Sequence, residues 1–275
     1  MNLLLQSCRL ALALFVAAAA GSASHATPQS TSAAMPTRLE RVAAAGELRV
    51  CIWPQYYSVT YRNPKTRLLS GIDIDIANEL ARELGVTVRF VDSSFLQLID
   101  KLNTDACDIA MHAIGISPER QTRVQFTRPY LRSDFYAITS KSSSIHTWSD
   151  LDQPGRVIAV LQGTVMEPVL RQRLQHATML LVQPPRSHAQ EVESGRADAF
   201  ITDFPFSRRM LDLTDWARLI APPQPFHPTD YAYALARGDR SLLERVDAFV
   251  AAIRKDGRLR SFAQAHRLED IVLAD

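Results

Sequence analysis

Apolar and polar positions alternate in two rhythms along this chain, and each change of rhythm marks an element. Residues 47–53, Glu-Leu-Arg-Val-Cys-Ile-Trp, alternate with the period of two of a half-buried strand. Between Gly71 and Gly85 the apolar residues fall at 76, 77, 80, 81 and 84, one face of a helix that a glycine stops. The same reading gives a short helix over 38–46, a strand at 86–91, a helix at 95–102 and a buried strand at 108–111. Residues 54–61 are expected to form a loop with exposed aromatics, and 62–70 a hairpin tip. A second unit begins near Ser140. It runs as strand 156–161, a helix opened by Gly163-Thr164, strand 178–182, helix 187–194, strand 199–203 and helix 204–211. Strand 231–235 and two amphipathic helices, 242–253 and 259–265, close the chain. Strands alternating with helices imply parallel sheets covered by helices, an α/β fold with two similar units.

The first 26 residues follow a different pattern. Arg9 precedes an apolar run from Leu10 to Ala20, and Ser24-His-Ala26 offers a small-x-small cleavage site. This predicts a secretory signal peptide, the run being too short to span a bilayer. Residues 27–37 read as a disordered leader. The remaining chain of roughly 250 residues is long enough for two lobes with separate cores.

Charge adds an exclusion. The 31 Lys and Arg balance 29 Asp and Glu. That argues against nucleic acid and against strong attraction to membrane surfaces. After signal removal two cysteines remain, Cys51 and Cys107; two buried thiols are expected, with a disulfide as the alternative in an oxidising compartment. Metal-ligand spacings are absent, and neither a metal nor a cofactor is expected. Walker-type loops and Gly-x-Ser-x-Gly are absent too. Asp73 and Asp75 are read as a helix-capping acid and a solvated one.

Several residues carry candidate chemistry. Asp108-Ile-Ala-Met-His-Ala-Ile-Gly-Ile-Ser-Pro-Glu-Arg120 reads as a strand followed by a helix start, which places Arg120 just beyond the strand's carboxyl end. Open α/β sheets bind ligands at that rim, and a guanidinium grips a carboxylate with two parallel hydrogen bonds. The plainer role is a surface arginine in a helix cap. Thr164 stands where a strand passes into a helix, so its hydroxyl and the free N–H groups there favour an anion; alternatively it is only an N-cap. Asp203 ends a strand and is read either as an acid facing a cleft or as a helix cap.

Taken in order, these segments resemble the family 3 extracellular solute-binding proteins, the periplasmic amino-acid receptors of ABC importers. The resemblance covers roughly residues 38–270. It implies a periplasmic-binding-protein-like type II clamshell: two α/β lobes joined by two crossover strands, here near 130–136 and 226–231. Residues 38–131 with 230–275 would form one lobe, and 132–229 the other. By resemblance, Arg120 holds a ligand α-carboxylate, Thr164 meets the same carboxylate from the second lobe, and Asp203 pairs with the α-ammonium. Tyr56 and Phe95 match the family's pocket aromatics, with Trp53 and Tyr57 as alternatives. The expected protein is a non-enzymatic periplasmic monomer that delivers a small amino acid or related carboxylate to a membrane permease.

Two departures stand out. Where the family often has small hydroxyl residues, this chain has His112, Ala113 and Gly115. His112 is read as a replacement donor that would titrate near neutral pH if solvated, or as a histidine bonded to backbone. The chain also resembles the cyclohexadienyl (arogenate/prephenate) dehydratases of the same fold, through Arg38-Leu-Glu-Arg, Pro129-Tyr-Leu-Arg132 and Leu151-Asp-Gln-Pro-Gly155. In those enzymes a glutamate three residues after a Thr-Asp pair serves as general acid. Here that position is Phe206, which cannot transfer a proton.

Overall fold

Two helix-covered sheets realise the predicted alternation over residues 35–273, the part of the chain described in this computed structural model. The signal-peptide expectation and most of the leader lie outside those residues. The chain enters through α1 (Arg38–Ala45) and β1 (Glu47–Ile52). A small three-stranded flap follows, built of β2 (Gln55–Tyr56), β3 (Thr60–Arg62) and β4 (Leu69–Ser70). Then come α2 (Ile72–Leu84), β5 (Thr87–Asp92), α3 (Leu98–Asn103), β6 (Ile109–Gly115), α4 (Pro118–Arg123), β7 (Val124–Phe126) and β8 (Leu131–Ser133). The second half holds β9 (Tyr136–Ser140), β10 (Val157–Leu161), α5 (Met166–Arg173), β11 (Thr178–Val182), α6 (His188–Glu193), β12 (Ala199–Thr202), α7 (Phe204–Leu213) and β13 (Ala217–Ile220). The chain returns through β14 (Thr229–Ala236) and ends in α8 (Ser241–Lys255) and α9 (Arg258–Ala265).

The first sheet has the order β5-β1-β6-β14-β7, with β8 also on β14; the second has the order β11-β10-β12-β9-β13. In each, three parallel strands meet one antiparallel strand that has just crossed from the other half: β14 beside β6, and β9 beside β12. The crossings fall between Ser133 and Tyr136 and between Ile220 and Thr229. Asp134 joins them, its carboxylate accepting from the backbone N–H groups of Phe135 (2.7 Å), Phe226 (2.7 Å) and His227 (2.6 Å).

Burial explains why the strands read as apolar runs. Every residue of β6 is buried, and α2 lays Ile72, Ile76, Ala77 and Leu80 onto the first sheet. Ile158 and Val160 of β10 pack with Val165, Met166 and Leu170 on the second. Each such fully buried aliphatic side chain contributes about 1.5–3 kcal/mol.

Three expectations fail for identifiable reasons. Cys51 and Cys107 are not free thiols but a disulfide, because β1 pairs with β6 and brings their Cα atoms to 5.7 Å. Tyr56 is not an exposed loop aromatic; the flap folds it inward to 1% exposure. Asp73 is neither a cap nor solvated. It is buried, accepting from Tyr130 Oη (2.7 Å), Tyr233 Oη (2.9 Å) and the Ala113 N–H (2.9 Å), and burial raises its pKa to about 6. Asp75 meets the ring of His266 at 2.6 Å and keeps its side chain 40% exposed, so it is the solvated acid of the pair.

Candidate functional site

The parallel strands of both sheets deliver their carboxyl ends to one place, as ligand sites in open α/β sheets require. Trp53 and Tyr56 follow β1, Phe95 follows β5, and Gly115 and Arg120 end or follow β6. Thr164 follows β10, Asp203 follows β12, and β14 adds Tyr231. All of these line one narrow cavity with about 30 Å³ of open volume. That is room for a water or two, so the two halves must part to admit a larger molecule.

Local structure aims Arg120 inward. Ser117 caps α4 by accepting from the Arg120 N–H (3.2 Å), and Pro118 supplies the first helical position. The guanidinium donates to Gly115 O (2.8 Å) and, across the cleft, to Gly163 O (2.7 Å), with its carbon 5.8 Å from the Phe95 ring centroid. Arg120 is 6% exposed, and its guanidinium partners among the described residues are these backbone carbonyls, with no carboxylate paired to it. Desolvation lowers its pKa to about 10, so it stays charged at neutral pH. A buried, uncompensated cation on a cavity wall is costly unless an anion joins it.

Asp203 is the opposite charge, and it proves to be both a cap and a cleft acid. One oxygen accepts from the Phe206 N–H at 3.2 Å and so caps α7. The other accepts from Tyr231 Oη of β14 at 2.8 Å and from Tyr56 Oη of the flap. Burial raises its pKa, while the tyrosine hydroxyls oppose that shift.

Gly163 allows the close approach at Arg120. Its φ is +81°, and a Cβ there would sit 2.7 Å from the backbone of Leu96 in the other half. Thr164 lies beside it, but its hydroxyl donates to Leu161 O (2.8 Å), and α5 begins only at Met166. Aromatic rings complete the wall. Trp53 lies 5.2 Å from both Tyr56 and Phe95, and stacks on Phe206 at 6.1 Å with the planes 10° apart. Tyr57 turns away and packs on Tyr61 at 5.7 Å.

The structure thus brings Tyr56, Phe95, Arg120, Thr164 and Asp203 together. His112 is the correction. Its neighbour Ala113 takes a left-handed φ of +47° and faces the cavity, which leaves the His112 ring behind the wall. There Nδ1 lies 3.3 Å from Cys51 O, and desolvation lowers the pKa to about 3, far from a neutral-pH switch. Sequence reasoning missed Tyr231 and His188 as wall residues. Tyr231 alternates with Tyr233 along β14, a signal that was readable; His188 gave none beyond its helix start.

Residues 48–267 match the model of the bacterial extracellular solute-binding proteins, family 3. The chain belongs to this family. Among curated relatives, a cyclohexadienyl dehydratase from Pseudomonas aeruginosa is 32% identical over 229 residues, covering 82% of this chain and 85% of the relative. The L-cystine-binding protein TcyJ of Escherichia coli is 26% identical over 228 residues, covering 82% and 84%. A solved ancestral amino acid-binding protein, described as a precursor of cyclohexadienyl dehydratase, superposes with a TM-score of 0.75 at 30% identity, covering 82% of this chain and 98% of that one. A cysteine-binding protein from Campylobacter jejuni, at 20% identity and a TM-score of 0.78, shares the fold over 87% of this chain and 100% of its own. The family 3 match thus agrees with a clamshell of two α/β halves whose facing strand ends form the cleft. Among the described residues, no helix is long and apolar enough to cross a membrane.

Proposed function

We propose that this family 3 protein captures a small α-amino acid between its two lobes and presents it to the permease of an ABC importer. The lobes are residues 38–131 with 230–275, and 132–229. The predicted signal peptide places the mature protein in the periplasm, where it acts as a monomer. One observation carries the reading: buried Arg120, without an acidic partner among the described residues, lines the same cavity as Asp203. Arg120 takes the ligand carboxylate with two N–H groups, and Asp203 takes the ammonium. Tyr56 and Tyr231 then turn their hydroxyls to the ligand, and Phe95 and Trp53 cover its apolar atoms. The charged groups come from both sheets, so neither half satisfies a zwitterion alone and binding favours closure.

The likeness to a dehydratase supports a second, enzymatic reading. Against it, Phe206 occupies the position of the glutamate acid and is packed between Trp53 and His188. Among the described residues, no carboxylic acid other than Asp203 lines the cavity. Binding without turnover is therefore the reading adopted.

A thermal-shift screen of residues 27–275 tests it, with the common amino acids, their keto and hydroxy acid analogues, prephenate and arogenate. One class of amino acids should raise Tm, and Arg120→Ala should abolish the rise. Release of phenylpyruvate or phenylalanine from the last two compounds would replace the receptor with an enzyme.

A further inference from the structure

His188 is the first residue of α6, behind the cap Ser187, and its ring forms part of the cavity wall. The ring sits edge-on to Phe200 at 4.4 Å and against Phe206 at 4.6 Å. The same Phe206 gives its N–H to Asp203, so His188 stands across one residue from the acid. His188 is only 4% exposed, and its buried Nδ1 has no hydrogen-bond partner among the described residues. Burial lowers its pKa to about 3, which leaves a neutral imidazole at physiological pH, one nitrogen a donor and the other an acceptor. A buried polar group left unpaired loses its hydration without recompense, and native structures rarely leave one without a reason.

The charges in the wall narrow what could pair with it. Among the described residues, Arg120 and Asp203 are the only charged side chains lining the cavity. Once they hold the carboxylate and ammonium, no acid remains for a cationic side chain and no cation for an anionic one. The rest of the wall is largely apolar, with Trp53, Phe95, Leu161, Met166 and Phe206. The hydroxyls of Tyr56, Tyr231 and Thr164 there are already hydrogen-bonded, Thr202 adds another hydroxyl, and His188 brings a buried nitrogen with no partner among the described residues.

We propose that His188 reads the ligand's side chain, and that the ligand is an α-amino acid whose uncharged side chain carries a hydroxyl, thiol or amide. This rests on the assignment of Arg120 and Asp203 to the ligand's two charges. The aromatic rings accept the side chain's apolar atoms, and the imidazole accepts from or donates to its polar atom. An apolar isostere leaves the imidazole unpaired and gains nothing in exchange.

Calorimetric titration with isosteric pairs tests this: serine against alanine, threonine against valine, glutamine against methionine, with lysine and glutamate as charged controls. In the wild type, the polar member of at least one pair should bind about 10-fold tighter than its partner. The controls should bind more weakly than that polar member. His188→Leu should bring the pair to within about 2-fold while retaining the apolar member's affinity; His188→Gln should keep part of the preference. If His188→Leu fails to fold, the glutamine variant and the wild-type pairs carry the decision. Wild-type binding without a polar preference, tighter binding of a charged control, or equal loss of both members in His188→Leu would overturn the role of His188 and leave the Arg120–Asp203 reading standing. Binding of no amino acid at all would overturn both.

Discussion

Asp73 offers a test in which sign and size both follow from the fold. Its carboxylate lies beneath β6, held by Tyr130, Tyr233 and the Ala113 N–H. Burial outweighs those hydrogen bonds and raises its pKa from 3.8 to about 6. The folded protein therefore holds this proton more tightly than the unfolded chain does. The stabilisation from protonation is fully present below about pH 4 and is lost as pH rises through 6. A gap of about two pH units is worth on the order of 3 kcal/mol. Glu79 and Asp92 work in the opposite direction, because arginine partners lower their pKa values and their contribution fades as pH falls. Only a difference measurement isolates Asp73. Urea unfolding of the wild type and Asp73→Asn at pH 4, 5, 6 and 7 should show the wild type losing about 3 kcal/mol relative to the variant across the series. For a chain of this length that is roughly 6–12 °C in Tm. A flat difference, or one favouring the wild type as pH rises, would refute the claim that burial dominates at this carboxylate.

Two further outcomes are expected. Asp203→Asn should weaken amino acids strongly and spare acids without an amino group, as titration calorimetry would show; equal loss of both would remove Asp203 from the ammonium's side of the site. Replacing both Cys51 and Cys107 with alanine opens a loop of 56 residues and should cost about 4 kcal/mol in urea unfolding. Wild type under reductant should lose a similar amount, and a loss below about 1 kcal/mol in both would show that the crosslink constrains the unfolded chain little.

The periodic parts of this fold were open to reading from the chain. The strand at Thr178–Val182 falls where its apolar run places it, and α2 lies between the two glycines that bound its pattern. What escaped depended on contacts distant in sequence. Asp73 and Asp75 look like ordinary first-turn acids, because the tyrosines that bury Asp73 lie 57 and 160 residues away. The disulfide needed the β1–β6 pairing, which no local pattern states. At His112 the failure was geometric: a left-handed residue at Ala113 breaks the two-residue alternation, so the expected inward side chain is off by one. Phe95 reached the cavity because α3 starts at Leu98, later than its apolar pattern suggests, leaving Phe95 in the preceding loop.

The bonds already made by the charged groups of the cleft have a consequence for selectivity. Arg120 reaches across to Gly163 O, while Tyr56 and Tyr231 reach across to Asp203, so the polar groups of the site clasp one another between the halves. On the proposed reading, recognition is an exchange reaction: a carboxylate would replace carbonyl oxygens on Arg120, and an ammonium would replace hydroxyl protons on Asp203. A molecule with both charges returns every bond it displaces. A molecule with one charge breaks the clasp on both sides and repairs only one, so the protein's own internal partners act as the competitor that every ligand has to outbid.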